Sequence, residues 1–332
     1  GYAPTSIKVK KAINKKVLSL GANQKSTITL AFENNLISSP HIGDLSTIDS
    51  VEYFERTIET FKNFYDFKPE ILVCDKHPNY ESTKYALKMK EKEPNIEIVQ
   101  VQHHYAHILS VMAENGLEND VLGFAFDGTG YGDDGNIWGG EVFIANRKEY
   151  KRIKHIKYFR LLGGEKAIKE PKRVALSLLF DNFSLDEILL LDNPVVKAFE
   201  QNEIKMLYTM WEKGLNAPLT SSIGRLFDAI SSFANILHVQ TYEGETGLQI
   251  EQNYDKCITD TYTYTIKNEE IDLSCMIKEI VKDSDKKLIC SKFINTIVEI
   301  ILDISNMYKD YPVVISGGVF QNKTILSLLI KR

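Results

Sequence analysis

The 332-residue sequence predicts an α/β fold in two related lobes, and three observations lead there. A strand, a polar or glycine-rich turn and a second strand occur twice, near Gly21 and near Gly128. After the first of these units, strands and amphipathic helices alternate with short connections, the pattern of a parallel layer. Near the end, the apolar run Pro312-Val313-Val314-Ile315-Ser316 opens through Gly317-Gly318 onto a helix.

The elements follow in order. Lys16 to Gly21 reads as a strand, and Ile28 to Phe32 returns as another, with Asn23-Gln24-Lys25-Ser26-Thr27 as the turn of a hairpin. From Thr47, Val51, Phe54, Ile58, Phe61 and Tyr65 recur at helical steps. A strand at 71–74, a helix at 82–92 and a strand at 96–101 follow. The pattern restarts with an apolar strand from Val121 ending at the acid Asp127, a turn over 128–132, and a second strand from Gly140 to Ala145. Helices are expected at 172–180, 195–213, 223–237 and 291–307, and a last one at 319–330. The boundaries place a first lobe over 1–110 and a second, with a helical insertion, over 111–332. Leu326, Leu329 and Ile330 still mark an apolar face where the sequence stops, so the reading expects a fold cut short at its C-terminus.

Composition narrows the function. The formal net charge of -5 lacks the basic excess of a phosphate-backbone binder, so no nucleic-acid partner is expected. Cys74, Cys257, Cys275 and Cys290 form no C-x-x-C pair and read as reduced thiols. With no apolar run of membrane-spanning length and no signal-like start, the expected location is the cytoplasm, with no membrane partner.

Four stretches carry chemistry. In Gln102-His103-His104-Tyr105-Ala106-His107, His103 and His107 share one face of a helix, where both imidazoles can reach one metal ion; the spacing equally suits surface histidines at a helix start. Asp127-Gly128-Thr129-Gly130-Tyr131-Gly132 joins an acid to backbone that can approach a phosphate, or is simply a tight turn. Ser316-Gly317-Gly318-Val319-Phe320-Gln321-Asn322 puts glycines before a helix, which suits an adenosine or phosphate contact or close packing. Arg225 and Asp228 stand three apart, a spacing that by itself gives a solvated surface pair and no role. Together the repeated units and the terminal Gly-Gly describe two lobes around a cleft, the layout of the actin, sugar-kinase and Hsp70 (ASKHA) nucleotide-binding fold.

An ordered series of short motifs runs along the chain: His41-Ile42-Gly43-Asp44-Leu45, Cys74-Asp75-Lys76-His77-Pro78, Ser82-Thr83-Lys84-Tyr85-Ala86 and His103-His104-Tyr105-Ala106-His107. It continues through Phe126 to Gly132, Trp138-Gly139-Gly140-Glu141, Ile168-Lys169-Glu170-Pro171, Gly224-Arg225-Leu226-Phe227-Asp228-Ala229, Tyr242-Glu243-Gly244-Glu245 and Ser316 to Asn322. In this series the chain resembles the C-terminal, Kae-like carbamoyltransferase module of the HypF hydrogenase-maturation family. Gly1-Tyr2-Ala3-Pro4 resembles the junction after the preceding domain in such proteins. The resemblance implies a transferase that passes a carbamoyl group from carbamoyl adenylate, made from carbamoyl phosphate and ATP, to the C-terminal cysteine of HypE. That group becomes a cyanide ligand of [NiFe]-hydrogenase. It also implies acylphosphatase-like, zinc-binding and YrdC-like domains upstream in the full-length chain.

Carried over by position, His103, His107 and Asp127 are the expected catalytic and metal-binding residues. Zinc or iron(II) suits these ligands, and magnesium is a further candidate. Gly21, Asn23 and Lys25 in the first turn, and Gly128, Thr129 and Gly130 in the second, are expected at the ATP phosphates. Gly317, Gly318 and Asn322 would line the adenosine side, with Gly224, Arg225, Asp228 and Glu243 in the same cleft. The family's tail carries an Asn-Asp-Gly-Gly segment whose aspartate is a further ligand, and this sequence ends before it. Thr246-Gly247 and Leu162 also depart from the family's usual residues, away from the chemistry. The chain is therefore expected to bind nucleotide without by itself turning carbamoyl phosphate into product. Two other readings stand beside this one. The first is a threonylcarbamoyl or other O- or N-carbamoyltransferase of the same superfamily; the second is a nucleotide-binding switch module with no catalysis.

Overall fold

A computed structural model describes residues 3–332; Gly1 and Tyr2 of the junction-like start lie outside them. The chain divides into two compact units, Gly1–Ala106 and His107–Arg332.

The first unit is a four-stranded sheet with helices. Its elements are β1 (Thr5–Ser19), β2 (Thr29–Ser38), α1 (Ile48–Phe64), β3 (Ile71–Asp75), α2 (Glu81–Lys92) and β4 (Glu97–Val101), followed by the start of α3 (His103–Asn115). The strand order is β2-β1-β3-β4, with β1 antiparallel to β2 and parallel to β3, and β3 parallel to β4. The hairpin expected around Lys25 is present, but β1 begins eleven residues before Lys16, at Thr5. That early stretch is mostly exposed and lysine-rich, so it carries little of the hydrophobic signal from which strands are read. Helix α1 starts where the sequence placed it, through a capping box between Thr47 and Ser50. Its buried Phe54, Ile58 and Phe61 pack with Leu18, Leu30, Leu72 and Tyr85. Each such side chain, fully buried, contributes roughly 1.5–3 kcal/mol.

The second unit holds the larger core. It comprises β5 (Val121–Tyr131), β6 (Ile137–Ala145), β7 (Tyr150–Ile156), β8 (Phe159–Arg160), α4 (Glu165–Lys169), α5 (Pro171–Asn182), α6 (Leu185–Leu190), α7 (Pro194–Lys197), α8 (Gln201–Glu212) and β9 (Leu219–Thr220). Then come α9 (Ile223–Phe233), α10 (Glu245–Gln252), β10 (Thr265–Lys267), β11 (Glu270–Asp272), α11 (Ser274–Ile280), α12 (Lys286–Met307) and β12 (Val313–Ser316). A 3-10 turn (Gly318–Gln321) and α13 (Lys323–Lys331) complete it. The main sheet runs β10-β11-β7-β6-β5-β12, with the short β8–β9 pair attached through β6. Helix α9 is buried along its whole length, from Ile223 to Phe233 apart from Gly224. Such all-round burial marks a central helix rather than a surface one.

Several local expectations are corrected. Residues 128–132 are not the turn: β5 runs on to Tyr131, and the chain reverses over 132–136, where Gly135 takes a left-handed φ of 79°. The strand can continue because it bulges. Asp127, Gly128 and Thr129 all lie between the pairs Phe126–Gly140 and Gly130–Trp138, opposite the single residue Gly139. The helix expected over 195–213 is two, α7, capped by the Asn193 side chain, and α8, which starts again after Glu200. The one expected over 223–237 ends at Phe233, since Asn235 adopts φ 52° and the Ile236 and Leu237 N–H groups both turn back to the Ser231 carbonyl. The one expected over 319–330 begins as a 3-10 turn and restarts at Asn322, whose side chain accepts the Ile325 N–H at 3.0 Å. Strands β7 to β11 were not foreseen; most are only two or three residues long, too short for periodicity to register.

Candidate functional site

Helix α3 carries the paired histidines and runs across the division between the units. His103 and His107 lie one turn apart within it.

In the first unit His103 is held from behind. Its Nδ1 meets Asp75 Oδ2 at 2.8 Å, and Asp75 is nearly buried at the end of β3. The other oxygen of that carboxylate accepts the His77 N–H at 2.8 Å. His77 stacks on Tyr80 with ring centroids 4.0 Å apart, and burial holds its imidazole below the usual range. Nothing in the spacing of the sequence singled out Asp75: the Cys74-Asp75-Lys76-His77-Pro78 run was the only signal that contained it.

The first turn is built more tightly than its polar sequence suggests. Gly21 sits at φ 67°, and a side-chain carbon there would come within 2.7 Å of the Thr27 carbonyl oxygen, so only glycine fits. The Gly21 carbonyl accepts the Ser82 hydroxyl at 3.1 Å. Asn23 Oδ1 accepts the Glu81 N–H at 2.9 Å, which caps α2 in place of Tyr80, whose side chain makes no capping bond. Lys25 is exposed with φ 49°, and its backbone N–H donates to Asp44 Oδ1 at 2.7 Å.

In the second unit Asp127 is the hub. Its Oδ2 meets His107 Nε2 at 3.1 Å, while Oδ1 accepts the Gly128 N–H at 2.8 Å and the Gly318 N–H at 3.2 Å. His107 Nδ1 lies 3.5 Å from the Ser316 hydroxyl. One carboxylate thus ties α3, the β5 bulge and the turn after β12. Gly317 has φ 103° and lies against Phe126, where any side chain would strike the backbone at 2.3 Å. Gly224 also approaches Gly128 closely: an added carbon would stand 2.8 Å from Gly128 Cα.

Arg225 and Asp228 are not the solvated pair that their spacing suggested. They are buried in α9, with Nη1 and Oδ2 2.7 Å apart, because the helix that holds them has no solvent face. Burial pushes the Asp228 carboxyl up to about 6 against the pull of Arg225 and of Thr246, whose hydroxyl donates to Oδ1 at 2.7 Å. Glu243 stands on an exposed loop before α10. Asn322 caps α13 with its oxygen, while its buried Nδ2 has no hydrogen-bond partner among the described residues.

The site reading passed over Glu141, on β6, which is completely buried. Its Oε2 accepts Arg152 Nη1 at 3.1 Å, and Oε1 accepts the Ser221 hydroxyl and the Gly139 and Gly140 N–H groups. Arg152 also stacks over Trp138 at 4.1 Å and reaches Asp134 at 3.2 Å.

Comparison with known proteins agrees with this architecture. Residues 12–114 match the family described as HypF Kae1-like domain, and residues 123–332 match Carbamoyltransferase, Kae1-like Domain, second subdomain. The protein Carbamoyltransferase HypF of Synechocystis sp. is 38% identical over 350 residues, covering 99% of this chain and 45% of its own length. Probable carbamoyltransferase HypF of Methanocaldococcus jannaschii is 32% identical, covering 98% of this chain and 43% of its own length. A crystal structure of full-length HypF in the phosphate- and nucleotide-bound form is similar with a TM-score of 0.91 at 34% identity, over 99% of this chain and 52% of that one. A crystal structure of T.kodakarensis HypF gives 0.89 at 28% identity, over 100% and 45%. The mixed α/β, ASKHA-like fold expected from the sequence is the one found. The chain spans about half the length of these relatives or less.

Proposed function

Because this chain belongs to the HypF carbamoyltransferase family, we propose that it performs the transfer step of a longer carbamoyltransferase. In that step the cysteine thiolate at the C-terminus of a HypE-type partner attacks the carbonyl carbon of carbamoyl adenylate. A sulfur–carbon bond forms, the carbon–oxygen bond to the adenylate phosphate breaks, and AMP leaves with that electron pair. Upstream acylphosphatase-like, zinc-binding and YrdC-like domains of the full-length chain would supply the adenylate.

The observation that carries this reading is the set of side chains around Asp127. Two imidazoles and a carboxylate suit zinc or iron(II), and His103, His107 and Asp127 are the proposed ligands. The fit is supported by Asp75, since a ligating histidine typically has its other ring nitrogen held by a carboxylate. His103 then presents Nε2. A bound ion would supply Lewis acidity and a template for phosphate or carbonyl oxygen.

The chain's own groups have separate tasks. Asp127 Oδ1, by accepting the Gly128 and Gly318 N–H groups, keeps the β5 bulge and the turn after β12 in register. The backbone of Gly128, Thr129 and Gly130 is proposed to meet phosphate oxygens, and in the first unit so is Lys25, in the turn that Gly21 and Asn23 shape. Gly317, Gly318 and Asn322 are proposed at the adenosine, with Gly224, Arg225, Asp228 and Glu243 bordering it. The buried amide of Asn322 supports this, as a ligand acceptor would complete its hydrogen bonding.

Calorimetric titration of ATP into the chain, loaded with zinc or iron(II) and then chelated, tests the reading. We expect binding that needs the metal and weakens at least about tenfold in a His103→Ala, His107→Ala variant, as loss of ligands requires. ATP binding indifferent to both metal and histidines would leave a nucleotide switch instead. Transfer itself is read by mass: carbamoyl adenylate and the partner should yield a carbamoylated cysteine, and an unmodified partner would reject the proposed acceptor.

A further inference from the structure

At Asp127–Thr129 the β5–β6 register is interrupted, so contacts beyond the regular ladder help to fix the bulge's shape. The neighbouring segment is the turn before α9. Ser222 caps α9 by accepting the Arg225 N–H at 3.0 Å, and the same hydroxyl reaches the Asp127 carbonyl at 3.0 Å and the Gly128 carbonyl beside it. Ser222 therefore anchors the bulge and the helix together. Gly139, Gly140 and Gly224 make this possible. Side-chain carbons at those positions would come within 2.7 Å of the Asp127 oxygen, 2.4 Å of the Ser221 oxygen and 2.8 Å of Gly128 Cα.

What holds the Ser221–Ser222 turn is a buried charge. The Ser221 hydroxyl donates to Glu141 Oε1, which also accepts the N–H groups of Gly139, opposite the bulge, and of Gly140 beside it. Glu141 is fully buried, and its remaining oxygen is compensated by Arg152. A paired charge in a core contributes little net stability, and a hydrophobic replacement of similar volume is often no worse. Its worth here lies in direction: one carboxylate oxygen gathers three donors from two segments that flank the bulge.

We infer that Glu141 is a positioning residue for the phosphate-facing bulge, acting through Ser221 and Ser222 on the backbone of Asp127 and Gly128. The carboxylate touches no reacting atom. It sets where the turn sits, the turn sets the Ser222 hydroxyl, and that hydroxyl sets the two carbonyls whose peptide planes orient the bulge. Glu141→Gln keeps the size and one acceptor, but a neutral amide oxygen holds the three donors more weakly than a carboxylate does, and its NH2 faces Arg152, so the chain of contacts loosens at its first link. The inference rests on the proposal that the bulge meets phosphate, and the test separates the two.

Two readouts are taken on the chain with Glu141→Gln, and with Ser221→Ala as a milder variant should the first fold poorly. Hydrogen exchange across residues 126–131 reports the bulge directly, with β12 as internal control. Affinities for ATP and for adenosine report its use. Exchange should rise at the bulge while β12 is unchanged. ATP should bind about tenfold more weakly with adenosine within about twofold of wild type, because only the phosphate contacts are misplaced. A merely structural Glu141 would weaken ATP and adenosine together, and unchanged exchange at the bulge would show no positioning at all; either overturns the inference. If exchange rises but wild-type chain binds ATP no better than adenosine, the phosphate reading fails, and the inferred purpose of Glu141 with it.

Discussion

A carboxylate's surroundings decide its chemistry, and three acids in the second unit show this. Asp127 spreads its two oxygens over an imidazole and two backbone N–H groups, an arrangement that fits a ligand. Glu141 is enclosed and paired with Arg152, and burial pushes its carboxyl up despite Ser221 and Arg152. Asp228 is raised to about 6, mainly by burial. A raised carboxyl binds its proton more tightly in the folded chain than in the unfolded one, so folding stability falls as pH rises from about 4 to about 6. Asp228→Asn removes that titration. Measured against wild type in urea, the variant should gain on the order of 3 kcal/mol between about pH 4 and about pH 7, whatever its absolute stability. A difference that stays flat across that range would mean that Asp228 ionises as it does in water.

Several helices here owe their starts to capping side chains, and these differ in how plainly the sequence announced them. Helix α12 is the longest, and Asp285 starts it by accepting the N–H groups of Lys287 at 2.7 Å and Leu288 at 3.0 Å. The apolar pattern located the helix from Ser291 onward; its first turn opens on two exposed lysines, ahead of the buried Ile289 and Cys290, and needed the cap to be recognised. Asp285→Ala should lower stability by about 1 kcal/mol, the usual cost of losing such a cap, with exchange increased in the first turn of α12. An unchanged unfolding midpoint would show that packing of Phe293, Ile294 and Ile297 alone holds the helix. Asn322 caps α13 through the single Ile325 N–H, yet its buried Nδ2 has no hydrogen-bond partner among the described residues, which sets it apart as a residue with more than a capping task.

For the molecule as a whole, charge and cores set the limits. Each unit closes its own hydrophobic core. The net charge of -5 provides no general attraction for a polyanion. Filter binding should accordingly detect no tRNA retention by this chain at about 150 mM salt, where non-specific affinity is already weak. Retention that persists at that salt would favour the threonylcarbamoyl-transfer reading over the one proposed. Among the described residues no helix is long and apolar enough to cross a membrane. Cys74 and Cys290 are buried thiols and Cys257 and Cys275 exposed ones, with no disulfide among the four.

By itself the sequence determined the α/β class, the first hairpin, the starts of α1 and α2, the paired histidines on one helix and the family. Each is written in local spacing or in an ordered series of short motifs, so it survives without coordinates. Tertiary structure alone decided that β5 runs through its glycines as a bulge, and that Arg225 and Asp228 meet in the core. It also decided that Asp75 stands behind His103 and that Glu141 is tied to Ser221. Those contacts join residues 28 and 80 positions apart, or depend on which helix loses its solvent face. Periodicity reports which side of an element is apolar; it does not report what another element, arriving from far along the chain, will place against it.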